Sequence, residues 1–242
     1  MVNHEYKNTP RLYVENPLGQ DSPVEHNTDQ AHYLKNVLRK AEGDYCRLFN
    51  GQDREWLYKL EALKKKSAIS GPERQLREQG KGHAPLMLFF APLKKAQTDM
   101  VIQKATELGV DEICPIITEH SNTGTVRLDR WRATAIEAAE QSERLTIPGI
   151  SELTNLKTAL RNFPSSGTLN VAMARFEGGS TKCKSDTDHP CGLIIGPEGG
   201  FSKDEREDFL KNPRYHVFSM GQEILRAETA AIVGLGLLKY SK

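Results

Sequence analysis

The chain has 242 residues, 38% hydrophobic and 27% charged, with 33 Lys and Arg against 32 Asp and Glu. This length suits one large domain or two modest ones with a sizeable core. The formal net charge of +1 sets up no global field for a polyanion, although a local basic patch would suffice.

Four cysteines, Cys46, Cys114, Cys183 and Cys191, stand far apart without a CxxC pair. That argues against a zinc site, so no metal is expected, and against a disulfide framework. The stretch Met1–Glu5 is polar and lacks the apolar core of a signal peptide, and no apolar run is long enough to span a bilayer. A soluble, cytoplasmic protein without a membrane partner is expected.

In chain order, residues 10–80 read as β-rich. Arg11–Val14 and Cys46–Phe49 are short strands, the second ended by the turn pair Asn50-Gly51, and Trp56–Leu60 alternates as a third. Between the first two, Asp29–Arg39 reads as a helix with Leu34, Val37 and Leu38 on one face. Short strands around one helix suggest a small barrel. Basic residues gather in this third of the chain at Lys35, Arg39, Lys40, Lys64-Lys65-Lys66, Arg74, Arg77 and Lys81. Such runs are as often a solvated face as a binding surface. Residues 71–83 are polar and glycine-punctuated, which marks a linker and divides the chain into domains 1–80 and 81–242.

Beyond it the pattern becomes α/β. Leu86–Phe90 reads as a buried strand, followed by helix Gln97–Leu108 with Val101, Ala105 and Leu108 on one stripe and Gly109 as its stop. Strand Glu112–Ile117, helix Arg130–Glu143, strands Leu169–Ala174 and Gly192–Ile195, helix Lys203–Leu210, strand His216–Ser219 and a helix from about Ala227 follow. Alternating strands and helices imply a parallel sheet wrapped in helices, with ligands beyond the carboxyl ends of the strands.

Two loops occupy that position, at what read as neighbouring strand ends. In the first, Ile195-Gly196-Pro197-Glu198-Gly199-Gly200-Phe201-Ser202, the glycines allow a ligand close to the main chain, Pro197 stiffens the turn, and Ser202 with Glu205 fits a capping box. It lacks the Gly-Lys-Ser/Thr of a Walker loop and the GxGxxG of a dinucleotide fold. By itself it is equally a plain strand-to-helix connection. The second, Met220-Gly221-Gln222-Glu223-Ile224-Leu225-Arg226-Ala227-Glu228-Thr229, sets Arg226 between apolar neighbours, where a permanent cation needs solvent or an anionic partner. Glu228 falls in the first turn of the last helix, where a carboxylate suits the dipole. Gly234 and Gly236 in that helix imply close packing against another helix or a second subunit.

With both loops in view, the chain resembles the RsmE family of bacterial methyltransferases that modify N3 of a uridine in 16S ribosomal RNA. Leu193–Ser202 and Ile224–Ala230 carry the resemblance, supported by His32–Leu34, Val37–Arg39, Gln103–Val110 and Ala138–Ser142. It covers nearly the whole chain. The resemblance implies a PUA-like N-terminal RNA-binding barrel and a C-terminal SPOUT domain with a deep trefoil knot, a rare exception to unknotted topology. It further implies an S-adenosylmethionine-dependent homodimer acting on 16S rRNA in the 30S subunit. Ile195, Gly196, Glu198, Gly199 and Gly200 match the first cofactor loop; Met220, Gly221, Ile224, Leu225 and Thr229 fall in the second. One departure is Glu223, where family members commonly carry arginine.

Chemically, uracil N3 must lose a proton as it attacks the methyl, and the charge spreads onto its carbonyl oxygens. Arg226 is the expected stabiliser of that charge, with Glu228 the candidate base. Arg39, Lys64, Lys65, Lys66 and Arg77 are the expected phosphate contacts. The rival readings are a knotted methyltransferase acting on a ribose 2′-hydroxyl and an RNA-binding module whose glycine loops are only structural.

Overall fold

The computed structural model describes residues 6, 9–80, 82–121, 126–174, 180–184 and 188–240. The Met1–Glu5 stretch and Lys81 lie outside the described residues. The chain divides into two compact units, one of residues 1–81 with 139–146, the other of residues 82–138 with 147–242.

In the first unit, Arg11–Tyr13 (β1), Val24–His26 (β2), Tyr45–Phe49 (β3), Glu55–Leu63 (β4) and Ala68–Arg77 (β5) form a sheet in the order β1-β3-β4-β5-β2. Only β1 and β3 run parallel. Its apolar face is a cluster that includes Leu12, Val24, Ala31, Leu34, Leu48, Tyr58 and Leu60. Two details differ from the sequence reading. The helix after β2 is a short α-helix, Thr28–His32 (α1), closed by an Asn27/Gln30 capping box and continued by a π-helical turn, Tyr33–Val37. Leu34 is buried and Leu38 packs on the core, but Val37 is 58% exposed. Bonding from i to i+5 widens the turn and swings Val37 off the apolar face. The linker is also shorter than expected. Gly71 and Pro72 lie inside β5, opposite Lys59 and Tyr58, where the register of the pair shifts. Proline is tolerated in a sheet at such irregularities.

The charged centre of this unit is Glu55, whose side chain is fully buried. Its Oε1 accepts from Arg11 Nε at 2.6 Å and its Oε2 from Arg77 Nε at 2.6 Å, with Arg47 Nη1 3.9 Å away. The guanidiniums reach onward to carbonyls at and beyond the end of helix Leu128–Gln141. Arg11 donates to Ala139 O and Arg144 O, and Arg77 to Glu143 O, each at 2.6 Å. Arg47 bonds the Glu143 carboxylate at 2.9 Å. A helix end leaves carbonyls unsatisfied and partly negative, so cations there meet both demands at once. Burial lowers Arg11 to about 10, which leaves it charged at neutral pH.

The second unit is built on parallel strands. Leu86–Phe90 (β6), Glu112–Ile117 (β7), Gly149–Ile150 (β8), Thr154–Asn155 (β9), Thr168–Ala172 (β10), Cys191–Ile195 (β11) and Tyr215–Phe218 (β12) form one sheet in the order β12-β10-β11-β6-β7-β8, with β9 also beside β7. Every pair among them is parallel. Helices Lys95–Glu107 (α2), Leu128–Gln141 (α3), Leu156–Asn162 (α4), Lys203–Lys211 (α5) and Ala227–Tyr240 (α6) accompany it. The inner strands read as continuous apolar runs, and all five residues of β11 are buried. The short pieces β8, β9 and α4 escaped the sequence reading because each is too brief to show a period.

Helix α6 packs against another helix, α2, as expected, while Gly234 itself faces a strand. A Cβ added there would lie 2.8 Å from Cδ2 of Leu193, so the glycine lets α6 settle directly on β11. Among the described residues no helix is long and apolar enough to cross a membrane, and no group of three or more His, Cys, Asp and Glu is placed to hold a metal ion.

Two outcomes are expected. Glu55→Ala strands three guanidiniums and should destabilise the chain by about 3–5 kcal/mol in chemical denaturation. His26, buried with Nε2 2.9 Å from Ser70 Oγ, is pushed by burial down to about 4. The unfolded chain takes up this proton near pH 6.5 and the folded chain only near pH 4, so stability should fall as pH drops through that window. The loss is about 3 kcal/mol, and the slope of unfolding free energy against pH should flatten in His26→Gln.

Candidate active site

β11 leads into the first glycine loop and β12 into the second, but these strands are not neighbours: β10 lies between them. The register aligns all three, with Val171 opposite both Ile194 and Val217 and Ala172 opposite Phe218. Their carboxyl ends therefore open on one place. There a cavity of about 410 Å³ is lined by Ala172–Ala174 beyond β10, by Ile195–Phe201, by Arg206 of α5, and by residues between Ser219 and Ala230.

The first wall is mostly main chain. Gly200 adopts φ +70°, its N–H bonds Pro197 O at 2.8 Å, and His120 Nδ1 stands 3.2 Å from Gly199 O. The capping box expected at Ser202 forms: its side chain accepts from Glu205 N, and Glu205 Oε2 accepts from Ser202 N at 2.8 Å. This fixes the exit of the loop and the orientation of α5. At the second wall Gly221 sits at φ +127°, which no side chain adopts without strain, and Ser219 Oγ donates to Gly221 O at 3.1 Å. Ile224 is 58% exposed, an apolar side chain held at the mouth of a polar-rimmed cavity.

Of the residues singled out from sequence, Ile195, Gly196, Glu198, Gly199, Gly200, Met220, Ile224, Leu225 and Arg226 line this cavity. Gly221 shapes the second loop without lining the space. Glu228 and Thr229 lie within α6 and off the lining, Glu228 half-buried in the first turn. The sequence reading missed the β10 end, Ala172–Ala174, and Arg206. The strand reaching to Ala174 was a usable signal for the former. Arg206 carried none, because its direction depends on how α5 is set by Ser202.

In the first unit the three lysines Lys64–Lys66 sit exposed in the tight connection from β4 to β5. Lys35 Nζ donates to Leu63 O at 3.0 Å and Lys64 N to Ser67 O at 2.8 Å, which steadies the turn while leaving its charges in solvent. Arg39 is exposed at φ 54°. Arg77 differs: its Nε and Nη2 are engaged by Glu55 and by Glu143 O, so it serves the buried network and not an open phosphate site.

The cavity combines backbone-rich walls, apolar side chains and charged groups at its edge, an environment suited to a flat nucleoside. Comparisons agree. Residues 81–239 match the model of an RNA methyltransferase domain, and residues 27–73 that of an RNA methyltransferase PUA domain. The ribosomal RNA small subunit methyltransferase E of Rickettsia conorii is 32% identical, over 95% of this chain and 94% of its own. The Neisseria gonorrhoeae enzyme of the same name, solved bound to S-adenosylmethionine, superposes with a TM-score of 0.85 at 26% identity, covering 94% of this chain and 95% of that one. A Legionella pneumophila protein, also solved with that cofactor, gives a TM-score of 0.83 at 28% identity over 96% and 98%. With both units matched and relatives aligned almost end to end, the chain belongs to the ribosomal RNA small subunit methyltransferase E family, an RNA methyltransferase built on the SPOUT fold with a PUA domain.

Proposed function

We propose that this chain transfers a methyl group from S-adenosylmethionine to N3 of a uridine in 16S rRNA. It acts in the cytoplasm as a homodimer, on the assembled or nearly assembled 30S subunit. The single observation that carries this reading is the cavity shared by the two loops, with Arg226 in its lining.

The cofactor supplies a methyl group already activated on a sulfonium. The protein's task is therefore positioning and charge. Gly196–Gly200 and Met220–Leu225 offer backbone groups and apolar contact to a flat, polar nucleoside, and the glycines let it approach closely. A weakly nucleophilic uracil nitrogen must be unpaired and turned out of its stack to enter. As N3 loses its proton, negative charge spreads to the flanking carbonyl oxygens, and the Arg226 guanidinium is the group to stabilise it. Arg226 is exposed, and its carbonyl accepts from Ala230 N at 2.8 Å, so the first turn of α6 holds its backbone while the side chain stays available. Glu228, off the cavity lining, suits the helix dipole better than the base's role. Lys64, Lys65, Lys66 and Arg39 are the proposed phosphate contacts of the first unit.

Arg226→Ala should keep the calorimetric affinity for S-adenosylmethionine within about twofold while methylation of 30S particles falls by about 10²–10³, the scale of losing one charge-stabilising donor. Normal turnover by this variant would remove Arg226 from the mechanism. Nucleoside mass spectrometry of rRNA from cells lacking the protein should show loss of a methyl carried on the uracil base; loss of a ribose methyl would overturn the proposed target atom. Replacing Lys64, Lys65 and Lys66 together by alanine should reduce the slope of log affinity for RNA against log salt by about two to three.

A further inference from the structure

The cavity holds four charged side chains: Glu198 and Glu223, Arg206 and Arg226. Three of them belong to the two loops, and all three are exposed. Arg206 differs in origin alone: it comes from α5, outside either loop, and is exposed like the other three.

Its surroundings leave the guanidinium uncommitted. α5 carries Asp204, Glu205, Glu207 and Asp208, yet Glu205 is held by the capping box and Glu207 by Lys211 at 2.7 Å. Among the described residues no carboxylate lies in ion-pair contact with Arg206. Glu223 turns back on its own loop, where its Oε2 would stand 3.5 Å from a Cβ added at Gly221. The Arg206 backbone is meanwhile fixed, with its N–H on Ser202 O at 3.0 Å. A guanidinium exposed at the cavity, on a fixed backbone and with no carboxylate of the described residues paired to it, is placed to meet an anion from outside.

Charge decides which anion. S-adenosylmethionine carries a sulfonium and an ammonium against one carboxylate, a net cation that suits the two glutamates. RNA is the polyanion. We propose that Arg206 binds a backbone phosphate of the nucleotide presented to the cavity, holding the substrate while Arg226 attends to the base. This rests on the reading of the chain as an rRNA methyltransferase.

The test uses the full-length protein and 30S subunits lacking the modification, with S-adenosylmethionine affinity measured separately by calorimetry. For Arg206→Ala, the KM for 30S subunits should rise about tenfold, with kcat and cofactor affinity each within about twofold of the parent. The KM difference should shrink as salt is raised, and Arg206→Lys should recover part of it. A tenfold loss of S-adenosylmethionine affinity with unchanged KM would assign Arg206 to the cofactor carboxylate and overturn the proposal. So would a variant equal to the parent in both measurements, or one impaired only in kcat. Direct binding of 30S subunits to both proteins, read without turnover, decides the point even if the parent enzyme methylates nothing. Failure of the parent to turn over would count against the methyltransferase reading alone.

Discussion

The parallel register of β10, β11 and β12 is the constraint on which the candidate site depends. Val171 stands opposite Ile194 on one side and Val217 on the other, so three carboxyl ends finish at the same level. Loops leaving such ends have to share the space beyond them. A shift of one residue in β11 would turn its alternate side chains over and displace the first glycine loop from the second. The burial of Leu193, Ile194 and Ile195, on both faces of the sheet, guards against that shift. Gly234 adds to it by admitting Leu193 directly against α6, and the same helix begins immediately after Arg226. The position of the proposed charge-stabilising group is thus set by packing under it.

The two units solve the problem of charge in opposite ways. In the first, Glu55 is sealed among Arg11, Arg77 and Arg47; outer nitrogens of Arg11 and Arg77 donate to carbonyls at and beyond a helix end, and Arg47 Nη2 bonds the Glu143 carboxylate. That arrangement contributes less through net attraction than through the large penalty for removing a member, and it fixes residues 139–146 against the sheet. In the cavity of the second unit no ion pair among the described residues engages Glu198, Glu223, Arg206 or Arg226. A carboxylate or guanidinium that the fold does not need is available to a ligand, and the contrast between Arg77 and Arg206 illustrates the difference. Arg77 is half-buried with its nitrogens engaged by Glu55 and Glu143 O, whereas Arg206 is exposed at the cavity, which separates a structural cation from the proposed binding one.

Part of this organisation is written in local sequence. The α/β alternation of the second unit, the capping box at Ser202 and Glu205, and the glycine loop after β11 follow from hydrophobic pattern and backbone chemistry over a few residues, and each was legible for that reason. So was the pairing of the two loops, through motifs whose residue types are demanded by close approach of a ligand. Less legible were β5, where Gly71 and Pro72 imitate a linker but sit at register shifts, and the turn at Tyr33–Val37, where a π-helical step removes Val37 from the face that a regular helix would give it.

What the sequence determined by itself is most of the longer elements and the two loops, because strand, helix and turn preferences are local. Tertiary structure decided which ends meet: β10 between β11 and β12, the Ala172–Ala174 wall, and the direction of Arg206. It also decided that Arg77 is enclosed while Lys64–Lys66 remain open. These depend on contacts between residues distant in the chain, such as Arg77 with Glu143 and Leu193 with Gly234, and no local preference encodes them.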